Sequence, residues 1–271
     1  MEPTTTGMNK TGIAANPDRA QAMAQAVQSF SPPTEIDTSA ADQERLFYVA
    51  ESQALGSIPR PASLIGTVKT GMAQLMGERP ELLMDKVGER MAFERSGVRL
   101  YDALIVKYMA LAEAGIVLPK AAQSLQAAGD GQGGAVAALE LDSEEPGETL
   151  ERIRSEELEH FHMLSEVMQQ LGGDPTAQTP AADVIGTASA GIVQVVTDPR
   201  TTFGQSLNAI LTIELVDNAG WELLIQLATR AGKEALSERF AHALAQEAQH
   251  LLIIRGWHSA LLLAEDTSPA L

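Results

Sequence analysis

The stretch "EELEHFHML", Glu156 to Leu164, decides how this chain folds. It holds five ionisable side chains, arranged as two overlapping Glu-x-x-His pairs: Glu157 with His160, and Glu159 with His162. Working outward, Leu150, Ile153, Glu157, His160, Leu164, Val167 and Leu171 alternate by three and four residues, the spacing of a buried helical seam. Glu157 and His160 therefore take positions that apolar side chains would fill. Glu159 and His162 fall about 200° further round a helix that turns about 100° per residue, and read as solvated.

The pattern recurs near the C-terminus. Phe240, Ala243, Glu247, His250, Ile254, Trp257 and Leu261 form the same stripe, with a second Glu-x-x-His at its middle. Two further helical segments each put one Glu on an apolar face. One stripe is Val87, Met91, Glu94, Val98, Tyr101 and Ile105; the other is Leu207, Leu211, Glu214, Asn218, Trp221 and Ile225. "ERSGVRLYDAL" and "ELVDNAGWELL" even share the placement of an aromatic and an acid after the Glu.

These segments set the organisation. Residues 1–40, rich in Thr, Ala, Gln and Pro, read as a mostly disordered tail with a short helix around Ala20 to Ser29. Residues 41–80 read as a short helical extension: helix to Gln53, a rigid "LGSIPRP", then an amphipathic stretch from Ala62 to Met76. This extension is expected either to pack on the rest or to pair two copies as a homodimer. Four long helices follow over residues 81–264, and residues 265–271 form a C-terminal tail. The first helix runs from Glu81 to Ala114. The second runs from Pro146, capped by Ser143, to "GGDP". The third spans Thr201 to Gly232 and the fourth Glu234 to Ala264. "AAGDGQGG" reads as a flexible linker, and "AADVIGTASAGIVQVV" as a short helix inside a long crossover. Two helical hairpins joined by a long connection give an all-α four-helix-bundle plan.

Register tests that plan. Antiparallel helices align about their turn. The midpoint between Glu214 and the Glu247–His250 pair falls at Ala231, in a predicted turn; that between Glu94 and Glu157–His160 falls at Gln126, by the linker. Both hairpins thus bring their polar residues to one depth. Four ionised carboxylates buried together repel strongly and lose hydration worth several kcal/mol each. Two divalent cations would neutralise them and accept the two imidazoles. Oxygen and imidazole donors suit iron or manganese.

Composition narrows the chemistry. A formal net charge of −17 repels phosphate backbones and acidic lipids, so neither nucleic acid nor a membrane surface is an expected partner. With no cysteine, thiolate zinc sites, iron–sulfur clusters and disulfides are excluded. No run approaches the ~18 apolar residues of a membrane span. The first twenty residues lack a basic start and apolar core, so a cytoplasmic protein is expected.

The order Glu, Glu-x-x-His, Glu, Glu-x-x-His over about residues 85 to 264 resembles the ferritin-like di-iron carboxylate superfamily of ferritins, bacterioferritins and rubrerythrins, with all six ligand positions matched. The resemblance implies a ferritin-like four-helix bundle with a long crossover and additional N-terminal helices. It implies two metal ions, iron or else manganese or a mixed pair, held by Glu94, Glu157, His160, Glu214, Glu247 and His250, with Glu157 and Glu247 bridging. Tyr101 matches an aromatic two turns from the first ligand in bacterioferritin-like members and is the candidate catalytic side chain; core packing is its other reading. The implied activity is an oxidoreductase reacting with O2 or H2O2 and an unidentified small molecule. The alternatives are a ferroxidase taking ferrous iron for detoxification or storage, and a non-catalytic bundle that metal merely stabilises. The chain departs from storage ferritins in its long N-terminal extension and longer loops, and without cysteine it lacks a rubrerythrin's electron-delivering domain.

Of the remaining polar residues, Asp102, Asp217 and Glu222 are expected in surface or interhelix pairs. Arg90, Arg95 and Arg99 are placed one helix face away from the ligands, where they are expected to pair with the excess acids. Trp221 and Trp257 read as packing, and His242 and His258 lie off the seams.

Overall fold

A computed structural model describes residues 17–31, 37–51, 80–128 and 143–267. Every regular element among them is a helix: α1 (Pro17–Phe30), α2 (Ser39–Glu51), α3 (Pro80–Glu113), α4 (Ala121–Ala128), α5 (Pro146–Gln170), α6 (Pro180–Thr197), α7 (Phe203–Arg230) and α8 (Glu234–Thr267). Residues 1–53 and 54–271 form two units. In the first, α1 extends beyond the expected Ala20 to Ser29, and α2 starts at Ser39, before the expected Asp42, while Gln53 lies outside the described residues; Met23, Val27, Phe30, Leu46 and Phe47 are exposed. "LGSIPRP", the stretch from Ala62 to Met76 and most of the "AAGDGQGG" linker lie outside the described residues.

Local chemistry sets the helix ends in the second unit. Pro146 opens α5, where a missing N–H costs nothing. The start is closed by Glu148, whose carboxylate accepts the Glu145 backbone N–H at 2.9 Å; Ser143 lies in a preceding turn and caps nothing. At the start of α7, Thr202 Oγ1 accepts the Gln205 N–H at 3.1 Å and the Gln205 side chain accepts the Thr202 N–H at 2.9 Å. Gly115, Gly172 and Gly232 follow α3, α5 and α7 with φ of 78°, 91° and 62°, a region L side chains rarely adopt.

Cross-helix contacts give the topology. Thr179, just beyond α5, donates to Asp85 O at 3.1 Å, while Arg154 pairs with Asp102 at 2.9 Å, so α5 runs antiparallel to α3. Thr229 meets Ser237 and Asn218 Nδ2 donates to Glu247 O, making α7 and α8 antiparallel. Pairs of Arg90 with Asp217 and Lys107 with Ser206 set α3 against α7 in the same sense. Arg239–Glu166 and His250–Glu156 do so for α8 against α5. The four long helices close a ring in which every neighbour is antiparallel. α5 and α7, on the diagonal, are parallel and joined by a crossover that contains α6. Lys107 anchors the end of that crossover by donating to Asp198 O at 2.8 Å and Thr201 O at 2.9 Å.

The ring encloses two apolar clusters. One gathers Leu100, Leu104, Leu150, Ile153, Leu207, Ile210, Ile254 and Trp257; the other gathers Val87, Met91, Leu164, Val167, Trp221, Leu224, Phe240 and Ala243. Burial of each large side chain contributes ~1.5–3 kcal/mol. Between the clusters lies a polar layer containing Glu94, Glu157, His160, Glu214, Glu247 and His250, all buried.

Three expectations need correction. α4 lies between the first two long helices, where no helix was expected, and takes Ala127 and Ala128 of the expected linker; Ala121, Ala122, Ser124 and Leu125 are buried, and Ser124 fills the space over Gly256 of α8. On α7 the buried face is Leu207, Ile210, Glu214, Asp217, Trp221 and Leu224, so Leu211, Asn218 and Ile225 sit at its edge. On α3, Gly97, Leu100 and Leu104 are buried where Val98 and Ile105 were expected, and those two are half-buried. In addition, α8 continues to Thr267, through the start of the expected C-terminal tail.

Candidate metal centre

Glu-x-x-His places its two side chains one turn apart on the same helix face. α5 and α8 each deliver such a pair, and α3 and α7 add Glu94 and Glu214. Ligand atoms of Glu157, Glu214, Glu247 and His250 lie within 4.8 Å of one another, as do those of Glu94, His160 and Glu247. All six predicted residues are thus brought together. Glu247 stands between the imidazoles: its Oε1 is 2.8 Å from His160 Nδ1 and its Oε2 is 3.1 Å from His250 Nδ1. Glu94 Oε2 is 3.5 Å from His160 Nδ1, and Glu157 Oε1 is 3.8 Å from His250 Nδ1.

With each Nδ1 facing the centre, each Nε2 is held from outside. His250 Nε2 lies 2.7 Å from Glu156 Oε2, and Glu156 is fixed in turn by Arg152 at 2.8 Å, which also pairs with Glu144 at 2.8 Å. His160 Nε2 lies 3.0 Å from Gln246 Oε1. Since both partners accept, each Nε2 donates outward and Nδ1 is the nitrogen that a metal would take, the usual arrangement of a ligating imidazole; without metal, each Nδ1 faces a Glu247 oxygen. The two holders are the residues just before Glu157 and Glu247, and each reaches across to the other motif's histidine. Sequence reading missed both, although their shared position next to the ligand was visible.

Three further contacts shape the centre. Tyr101 is fully buried and its hydroxyl donates to Glu214 Oε1. A Cβ at Gly97 would collide with Glu157 Oε2, so the missing side chain makes room for that carboxylate. Asp217 joins Glu94, Glu157 and Glu247 within 4.8 Å and is paired with Arg90. Arg90, only 1% exposed, lies over the Phe93 ring and against Gly220, where a Cβ would come within 2.6 Å of its guanidinium carbon. Arg90 pairs with an acid as expected, but beside the ligands and not one helix face away; burial, Glu247 and Glu94 raise the Asp217 carboxyl, and Arg90 opposes that rise. Asp217 keeps its expected interhelix pairing, but inside rather than at the surface. Glu159, His162, Asp102, Glu222, Arg95, Arg99 and His242 are exposed, and His258 is half-buried. Trp221 and Trp257 are fully buried; Trp221 sets its ring edge-on to His160 at 5.4 Å.

Electrostatics show what the layer lacks. Burial, then the neighbouring Glu247 and Glu94 carboxylates, hold the Glu157 carboxyl well above its ordinary range. Burial and Glu247 push Glu214 up to about 8. Glu247 goes the other way: burial opposes it, but both imidazoles draw it down. Against burial, Glu247 and Glu94 raise His160 to about 11, and Glu247 with Glu156 raises His250 to about 10. Without metal, protons hold this layer together. Even so, both oxygens of Glu94 and Oε2 of Glu214 remain buried with no hydrogen-bond partner. An orphan of this kind costs ~1–3 kcal/mol, more for a charged group. With Asp217 cancelled by Arg90, four glutamates remain, the charge that two divalent cations balance. The donor set, the orphaned atoms and the Gly97 vacancy all fit such a pair.

A cavity of about 430 Å³ opens between α5 and α8, with exposed Glu159, Glu238 and His242 at its rim and buried His160, beside Gln246, in its lining.

The chain matches no family model, no curated protein and no solved structure. Its function has to be read from the side chains themselves.

Proposed function

We propose that the chain is a ferritin-like di-metal carboxylate oxidoreductase that reacts with O2 or H2O2. The observation that carries this reading is the convergence of four glutamates, three of their oxygens orphaned, and two imidazoles between two apolar clusters. The antiparallel ring with its long crossover supports it, because it is the plan on which such bundles place a Glu on two helices and Glu-x-x-His on the other two.

Two ferrous ions bound there would supply one electron each to the oxidant. The chain's own residues do the rest. Glu94, Glu157, Glu214, Glu247, His160 and His250 hold and space the ions. Glu156 and Gln246 fix the imidazoles. Tyr101 positions Glu214 and keeps a hydroxyl proton at its Oε1. The flanking clusters exclude bulk water, which strengthens every charge interaction inside. Anaerobic loading should give about two ferrous ions per chain, followed by O2 uptake at an oxygen electrode on mixing. Glu157→Ala and Glu247→Ala should abolish uptake while the helical circular dichroism persists. Two ions bound with no uptake of O2 or peroxide would remove the redox claim, and collapse of both variants would favour a metal that only stabilises the fold.

A second reading takes ferrous iron as the substrate of a ferroxidase. The cavity reaching His160 favours it, since it gives ions an approach to a ligand. Continued oxidation of many ferrous ions per chain, rather than about two, would select this reading. No helix among the described residues is long and apolar enough to cross a membrane.

A further inference from the structure

The centre is nearly two-fold symmetric, yet its halves differ in two independent ways. The first is what stands behind each imidazole. At equivalent positions, one residue before each motif's Glu, the chain puts a carboxylate on His250 and a neutral amide on His160. Both holders are half-buried, and Glu156 is further anchored by Arg152. The second is access: His250 is 0% exposed, but His160 and Gln246 both line the surface cavity.

Both differences act in the same direction. A carboxylate behind an imidazole raises its strength as a donor and fixes its orientation; loss of such a partner costs 10–100-fold in metal affinity. An amide fixes orientation without adding charge. A wall of helix, in place of a cavity, slows an ion's departure.

On the basis of the di-metal reading, we infer that the two cation positions are unequal: a resident ion sits at Glu157, Glu214, Glu247 and His250, and an exchangeable ion sits at Glu94, His160 and Glu247, loading and leaving by the cavity. Glu156 and Gln246 act as positioning residues that set the difference. The exchangeable position takes the same class of ligand, a divalent cation, at lower affinity and shorter residence.

Cobalt(II), which does not turn over in argon, probes this in the full chain by its visible absorption, with chelator chase for residence. Wild type should bind two ions in steps separated by at least about 10-fold, and chelator should remove one rapidly and the other slowly. Glu156→Gln, which keeps shape and hydrogen bonding, should weaken the tight step by about 10–100-fold and leave the weak one in place. Gln246→Glu, at a half-buried position that tolerates change, should tighten the weak step and slow its release. A merely structural role for these residues would move both steps together. Two ions bound in one step and released at one rate, unaltered by either substitution, overturn the inference but keep the di-metal reading. Failure to bind cobalt or iron at all would sink both.

Discussion

α3 and α7 do a different job from α5 and α8, although each pair contributes to the same layer. α5 and α8 bring the imidazoles, and their outward contacts hold those rings: Glu156 to His250 and Gln246 to His160. α3 and α7 bring one glutamate each and surround it with provisions of space and charge: the bare Cα of Gly97, the Tyr101 hydroxyl on Glu214, and the Arg90–Asp217 pair. One pair of helices aims the donors; the other makes the buried layer tolerable. A polar layer needs both, because correct aim without charge balance leaves a core that unfolds.

If that division holds, disturbing the α3–α7 side should first hurt stability. Arg90→Met leaves Asp217 as an uncompensated buried acid, and urea unfolding should show a loss of about 3–5 kcal/mol. Converting Asp217 to Leu as well should restore much of it, since an apolar pair of similar volume replaces the ion pair. No recovery in the double variant would show that the pair has a specific role beyond neutralisation.

Gly97→Ala tests space instead of charge. Alanine is the better helix former, yet its methyl collides with Glu157, so a net destabilisation of about 1–3 kcal/mol is expected from overpacking, with weaker metal binding by calorimetry. A stabilised variant with unchanged affinity would mean the vacancy is incidental.

The imidazoles of α5 and α8, with Glu214 of α7, should respond to pH. His160 and His250 rise from an ordinary 6.5 to about 11 and about 10, and Glu214 rises from 4.5 to about 8. A raised value means that folding retains a proton the unfolded chain has released. That stabilisation is complete below the ordinary value and is lost as pH rises through the folded one. Metal-free protein should therefore melt at progressively lower temperature from about pH 6.5 to pH 10. Metal binding needs the imidazoles deprotonated and strengthens over the same range. The gap in Tm between loaded and metal-free protein should widen with pH; a constant gap would contradict this account of the layer. The smallest effect should come from Arg154→Ala, whose half-exposed partner Asp102 lies outside the layer. Chemical denaturation should change by less than about 1 kcal/mol.

The same division explains what could be read in the sequence. On α5 and α8 the apolar seam has few rivals, so Glu157, His160, Glu247 and His250 stand out as polar residues in apolar positions. On α7, Ile210 and Leu211, and again Leu224 and Ile225, offer neighbouring apolar choices, so the seam can be drawn one residue off while still catching Glu214 and Trp221. That slip put Asp217 outside. Arg90 was misplaced because a lone arginine reads as surface until its acid is found on another helix. α4 escaped because Ala, Ser and Gln carry little pattern, and its burial is decided by Gly256 and Trp257 of a distant helix. Glu156 and Gln246 were in view but sit about 100° from the seam, where polar residues are ordinary.

Gly97 also indexes one helix against another. Its bare backbone is a keyhole, and the Glu157 carboxylate is the only key that α5 presents at that height. A slide of α3 by one residue would put Ser96 or Val98 in the way and lock the carboxylate out. The ring can close in the register that assembles the layer, and neighbouring registers are turned away by a single absent methyl.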